Sequence, residues 1–240
     1  MCGRYATTRG AAELGALFEA DDDTGGLAPD YNVAPTDPVP VVRLSSTGER
    51  RLATARWGLV PHWAPDPGGA ARMINARAET VATSRAFARS FAGRRCLIPA
   101  DGWYEWVRRD GGKQPYFMTP HDGSVLAFAG LWSVWSGPPG SASAPLLTCS
   151  IITRPAIGEL AGVHDRMPLV LPAARWPAWL AGGGEPETLL AAPDPATVAG
   201  IEIRPVGRAV GDVRNDGPGL VARIPVPEEH REAPVRLTLF

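Results

Sequence analysis

Once Met1 is trimmed, Cys2 carries the most reactive pair of groups in the chain, and a cysteine at position 2 is small enough to permit that trimming. The new terminus would hold an α-amine and a thiol on adjacent carbons. The amine has a reference pKa of about 7.7–8.0, against about 10.4 for lysine, so a useful fraction is neutral near pH 7. A neutral amine attacks an aldehyde to give a Schiff base. The neighbouring thiol can then close on the imine carbon, giving a five-membered thiazolidine favoured by high effective molarity. Position alone leaves open an ordinary cysteine at a frayed end.

Three further segments hold groups that such chemistry needs. Residues 101–106 read Asp-Gly-Trp-Tyr-Glu-Trp. On a strand, Trp103, Glu105 and Val107 face one way while Tyr104 and Trp106 face the other. A carboxylate among aromatic rings loses hydration, which lifts its pKa and lets Glu105 give and take protons. A solvated Glu105 paired with Arg108 or Arg109 is the plain alternative. In Asn75-Ala76-Arg77-Ala78-Glu79-Thr80, Asn75 can orient a reacting group through its amide and Arg77 can hold a phosphate. The same residues would also serve as a polar turn before a helix. His164, in His164-Asp165-Arg166-Met167-Pro168, is of the type most easily poised for proton transfer at neutral pH, though a lone loop histidine is often only a surface residue. Trp57 and Trp63 flank a rigid Pro-containing segment; exposed they would stack nucleobases, and buried they would fill a core.

The elements that must position these groups are legible in outline. Glu13–Ala20 reads as a short amphipathic helix with Leu14, Leu17 and Phe18 on one face. Val39–Leu44 and Arg51–Trp57 read as a hairpin. Ser84–Ala92 reads as a helix capped by Ser84, with Phe87 and Phe91 inward and Arg85 and Arg89 sharing another face. Strands are expected at Arg95–Ile98, Gly102–Val107, Pro115–Thr119, Val125–Trp135, Leu146–Thr153 and Ile201–Val206. Helices are expected at Ala173–Leu180 and Pro186–Ala192. With no internal repeat and no clear break, residues 1–224 read as one β-rich α+β domain with a few peripheral helices. Residues 225–240 read as a Pro/Glu-rich solvated tail.

Composition narrows the class. The 240 residues are 45% hydrophobic and 20% charged, as expected for a globular protein. No signal peptide or membrane span is apparent, and Cys2, Cys96 and Cys149 are too few and scattered for a disulfide framework. The four histidines lack metal-ligand spacing. A cytoplasmic protein with reduced thiols and no metal or cofactor is expected, Cys96 being core packing. A net charge of −1 argues against a generic nucleic-acid binder. Residues 70–109 nonetheless hold eight arginines against three acids, a local excess of five.

Read in order, these segments resemble the SOS-response-associated peptidase (SRAP) family of abasic-site processing proteins. The matching pieces are Met1–Tyr5, Tyr31–Thr36, Trp57–Pro61, Asn75–Thr80, Arg95–Trp106, Phe128–Trp132, Thr153 and His164–Pro168. The resemblance spans about residues 1–220. It implies recognition of an abasic site in single-stranded DNA and capture of its ring-opened aldehyde as a thiazolidine on Cys2. It also implies that Asn75 positions the amine and sugar, Glu105 shuttles protons, and His164 acts as acid or base on the sugar hydroxyl and in reversal. Arg4, Arg77 and Arg166 are the implied phosphate contacts, Arg85 and Arg89 extend the strip, and Trp63 stacks beside the lesion. The protein is expected to be a monomer that joins the nucleoid during repair.

Two other readings of Cys2 stay open: an N-terminal-nucleophile glutamine amidotransferase and a cysteine peptidase. The last residues, Arg236-Leu237-Thr238-Leu239-Phe240, resemble a peptide that docks on the bacterial sliding clamp. Leu237, Leu239 and Phe240 would enter its apolar pocket from a flexible tether.

Overall fold

The alternating apolar pattern of the central segments folds into a small closed barrel. A computed structural model describes residues 2–109, 112–138 and 144–225. The first strands are β1 (Tyr5–Thr7), β2 (Asp21–Asp22), β3 (Asp30–Val33), β4 (Pro38–Leu44), β5 (Arg50–Trp57) and β6 (Asn75–Arg77). They are followed by β7 (Arg95–Ala100), β8 (Gly102–Arg109), β9 (Gly112–Pro120), β10 (Leu126–Trp135), β11 (Leu146–Pro155), β12 (Arg166–Pro168) and β13 (Ile201–Pro205). Among the described residues the α-helices are α1 (Ala11–Phe18), α2 (Ala88–Gly93), α3 (Trp176–Leu180), α4 (Pro186–Leu189) and α5 (Pro195–Ala199).

Strands β5, β4, β7, β10 and β11 pair antiparallel in that order, and a parallel pairing of β11 with β5 closes the ring. Closure leaves those five strands no open edge. Val41, Ala55, Trp57, Cys96, Ile98, Phe128, Cys149 and Ile151 alternate into the interior, while Val42, Leu52, Leu97, Leu131 and Ile152 face outward. The outward set packs under the helices through Phe18, Phe87, Phe91, Trp176 and Trp179. Gly130 is required inside: a Cβ there would lie 2.8 Å from Cys96 Sγ. A second, five-stranded sheet, β13-β9-β8-β1-β3, lies against the barrel and shares its interior core through Tyr5, Trp103 and Met118. Among the described residues no helix is long and apolar enough to cross a membrane.

The expected β-rich α+β fold is the observed one, with local corrections. The first helix runs Ala11–Phe18, and Glu19 ends it in the left-handed conformation at φ 50°. Leu14 and Phe18 are buried, but Leu17 is 43% exposed. The second helix starts only at Ala88, without a side-chain cap. The Ser84 carbonyl, not its hydroxyl, accepts from the amides of Phe87 and Ala88, because a turn brings Phe87 into the core first. Arg85 therefore lies outside that helix and shares no helical face with Arg89. Short strands β1, β2, β3, β6 and β12 and helix α5 are additions to the expected elements. Asp194 caps α5 by accepting from Thr197 N, a start signal visible in Asp-Pro-x-Thr. Leu237, Leu239 and Phe240 lie outside the described residues.

Candidate active site

The N-terminal arm reaches the site along β8. Tyr5 pairs with Trp103, and Tyr104 N donates to the Arg4 carbonyl at 2.9 Å. Cys2 is fully buried in the interior core. Its carbonyl accepts from Asn75 Nδ2 at 2.7 Å. Asn75 opens β6, in parallel register with Ile151 of β11, and the preceding Ile74 carbonyl accepts from Trp57 Nε1 at 3.0 Å. The barrel therefore holds the amide that grips Cys2. Asn75 Oδ1 is buried and has no hydrogen-bond partner among the described residues, which leaves an acceptor ready for a donor.

Strand alternation puts Glu105 on the Cys2 side of β8 and Tyr104 in a separate cluster with Phe117 and Val206. The Glu105 side chain is 6% exposed, and His164 Nε2 stands 3.9 Å from its Oε2. Burial lifts the Glu105 carboxyl to about 7, partly opposed by the positive chain terminus. Burial also pushes the Cys2 thiol far up, reinforced by Glu105, so the sulfur stays protonated. The His164 pKa is lowered, first by burial and then by the chain terminus. Its Nδ1 accepts from the Arg166 backbone amide at 2.9 Å, which leaves the proton of the neutral ring on Nε2, facing Glu105.

Four groups expected to act together, Cys2, Asn75, Glu105 and His164, thus converge at one end of the barrel. The expected arginine contacts divide. Arg77, Arg85 and Arg89 are exposed, and Arg77 makes no side-chain hydrogen bond to the described residues. The Arg85 guanidinium stacks 4.6 Å over Trp63, itself 45% exposed. Trp57 is buried. Gly58, at φ +127° with a would-be Cβ 2.5 Å from the Ala70 carbonyl, turns the chain from β5 toward the Trp63 segment.

Arg4 and Arg166 have partners within the protein. Arg4 Nη1 donates to Asn32 Oδ1 at 2.7 Å and to the Val210 carbonyl at 2.9 Å, under partial burial. Arg166 is gripped by both carboxylate oxygens of Glu79, at 2.5 and 3.0 Å, and by the Thr153 carbonyl at 2.7 Å. Both guanidiniums spend their best donors inside the protein. Sequence reasoning missed Asn32, whose Nδ2 also donates to the carbonyls of Asp212 and Asn215, and Glu79. An acid four residues after Asn75 was the available signal for the latter. Among the described residues no cluster of His, Cys, Asp and Glu could hold a metal.

Comparison with known proteins places the chain in a family. The family model described as SOS response associated peptidase (SRAP) matches residues 1–213. The chain is 34% identical over 225 residues to the abasic site processing protein YoqW of Bacillus subtilis, covering 92% of this chain and 99% of that one. It is 34% identical over 230 residues to the abasic site processing protein YedK of Escherichia coli, covering 92% and 99%. Abasic site processing protein HMCES of Gallus gallus is 32% identical over 272 residues, covering 95% and 80%. A crystal structure of a Bacteroides thetaiotaomicron protein superposes with a TM-score of 0.79 at 21% identity, covering 93% of this chain and all of that one, a likeness of fold. A phage-related protein of Bordetella bronchiseptica gives 0.65 at 28% identity, covering 85% and 94%. The chain belongs to the SOS response associated peptidase (SRAP) family.

Proposed function

We propose that this chain processes abasic sites in single-stranded DNA by capturing the ring-opened sugar aldehyde on Cys2 after loss of Met1. The observation that carries the proposal is the approach of a proton-exchanging carboxylate and a neutral imidazole to a buried N-terminal cysteine held by Asn75. Relatives similar over most of their length are abasic site processing proteins.

The chemistry balances without an oxidant, metal or cofactor. The freed α-amine adds to the aldehyde carbon to give a carbinolamine, which loses its hydroxyl as water to form the imine. The Cys2 sulfur then bonds to the imine carbon, its proton leaves, and the former imine nitrogen gains one. A buried, protonated thiol needs a nearby acceptor for that step, and a carboxyl with a pKa of about 7 is matched to the task. His164, with its proton on Nε2, donates a hydrogen bond to the sugar oxygen as the ring opens, while Glu105 carries the protons.

The same electrostatics argue against an amidotransferase or peptidase led by sulfur. Reactive thiolates sit in electropositive, partly exposed surroundings, whereas Cys2 is buried with its pKa raised by desolvation and by Glu105. An amine-first reaction does not require a thiolate.

Arg77, Arg85 and Arg89 would track the backbone, and Trp63 would stack a base beside the lesion. Because much of the capture would be covalent, noncovalent affinity should be modest and fall with salt, while the adduct survives high salt. Segment 236–240 would let the protein dock on a sliding clamp, and deletion of 235–240 with unchanged clamp pull-down would refute that part.

The test is a denaturing gel of the protein with single-stranded DNA bearing one abasic site, beside Cys2→Ala and abasic-free controls. A lesion-dependent band absent in Cys2→Ala supports the proposal. A band of equal intensity in Cys2→Ala, or none in the wild type with Met1 removed, refutes it.

A further inference from the structure

Glu79 takes no part in the chemistry above, yet it makes a bidentate contact with Arg166. Its two oxygens meet Arg166 Nη1 and Nη2, and Nη2 also donates to the Thr153 carbonyl. Thr153 pairs with Arg77 of β6 on one side and Pro168 of β12 on the other. One guanidinium therefore ties β12 and β11 to Glu79, two residues beyond β6. Asn75 opens β6, and His164 lies two residues before β12.

The consequence for His164 is geometric. Its Nδ1 accepts from the Arg166 backbone amide at 2.9 Å. The Asp165 carboxylate lies equally near, 2.9 Å from the same nitrogen, and is 85% exposed. The two partners demand opposite ring states. A backbone amide bonds only an unprotonated Nδ1, and a carboxylate bonds only a protonated one. Whichever prevails decides whether Nε2 offers a proton or a lone pair toward Glu105. Charged groups facing the ring include Glu105 from β8 and Asp165 and Arg166 from its own segment.

We propose that Glu79 is a positioning residue: by clamping Arg166 it holds the Arg166 amide on His164 Nδ1 and keeps the ring in its Nε2-protonated form. The clamp is bidentate, and the Arg166 side chain is only 13% exposed, so it is better ordered than a typical surface ion pair. Arg166 in turn holds the Glu79 carboxyl below its ordinary range, so the clamp persists at neutral pH.

The experiment compares wild type with Glu79→Gln, and with Glu79→Asp as a milder variant should the first not fold. Nitrogen-15 NMR of the imidazoles, with His164 assigned through His164→Gln, reads the ring state without DNA. Saturating abasic single strand reads the covalent step, and an abasic-free strand reads simple binding. The expected result is a His164 Nδ1 signal moving from unprotonated toward mixed, with a covalent step about tenfold slower, as small misplacements of reacting groups cost. Binding of the abasic-free strand should stay within about threefold, the scale of one exposed charge. An unchanged Nδ1 signal in the folded variants overturns the proposal, whatever the rate does. So does a loss of strand binding with the covalent step intact, since Glu79 would then act on DNA. The kinetic arm rests on the Cys2 capture reading; if wild type forms no adduct, that reading fails and the ring signals alone decide the role of Glu79.

Discussion

Two buried charged side chains, Arg95 and Glu105, lie at different places on the fold and are treated in opposite ways. Arg95, 3% exposed, donates to the carbonyls of Trp179, Phe91 and Gly183, and its guanidinium lies near the rings of Phe91 and Trp179. Each of its three nitrogens has a carbonyl, and it ties β7 to α2 and α3. At Glu105 the cost of burial outweighs the pull of the positive chain terminus, so its pKa rises to about 7. Asn75, which grips Cys2 beside it, keeps a buried oxygen unpaired among the described residues. Buried polarity that is fully matched builds scaffold; buried polarity left poised marks where chemistry happens.

Breaking each side of that contrast should give different signatures. Removing the carboxylate has the largest expected effect on activity. Glu105→Gln should slow adduct formation about a hundredfold, within the range of general acid–base catalysis. It should also erase the fall in wild-type rate as pH drops through about 7, where the carboxylate is lost. The sign for stability is opposite. A carboxyl whose folded pKa exceeds its unfolded value of about 4.5 costs stability as pH rises from there to about 7. Glu105→Gln removes that cost, so at pH 8 the variant should be more stable than wild type, by up to about 3 kcal/mol.

Arg95→Leu should do the reverse. It strips three carbonyls of their donor, and a loss of about 3 kcal/mol follows from unsatisfied buried acceptors. Thermal melting should fall while adduct formation at low temperature stays near wild type. A folded Arg95→Leu that cannot form adduct would dissolve the distinction between scaffold and site.

Arg77→Ala should have the smallest effect. Exposed and without side-chain hydrogen bonds to the described residues, Arg77 should contribute one phosphate contact. Its loss should weaken noncovalent strand binding a few-fold and lower the salt slope by about one. Arg4→Ala, by contrast, should show up mainly as lost stability, because Asn32 and the Val210 carbonyl lose their donor. A steeper salt-slope change for Arg4→Ala than for Arg77→Ala would return Arg4 to the DNA surface.

The sequence disclosed the site better than its surroundings. Glu105 was readable because a strand alternates with period two, and the ring-lined segment around it fixes its face. The barrel strands were readable for the same reason. What escaped was set by contacts far apart in sequence. The ties from Arg4 to Val210 and from Arg166 to Glu79 span 206 and 87 positions, and no local pattern announces them. Three-residue strands such as β6 and β12 exist only because β11 pairs with both. Arg85 and Arg89 looked like one helical face because spacing alone cannot tell that Phe87 enters the core from a turn.

The most direct measurement is peptide mapping by mass spectrometry of the adduct on abasic single-stranded DNA. Lys113 is the sole lysine of the chain, so side-chain amines offer one competing site. The account predicts a modified peptide that begins at Cys2, lacks Met1, and carries the sugar with loss of one water. It should resist borohydride, since no imine remains. Modification at Lys113, or a peptide that retains Met1, would contradict it.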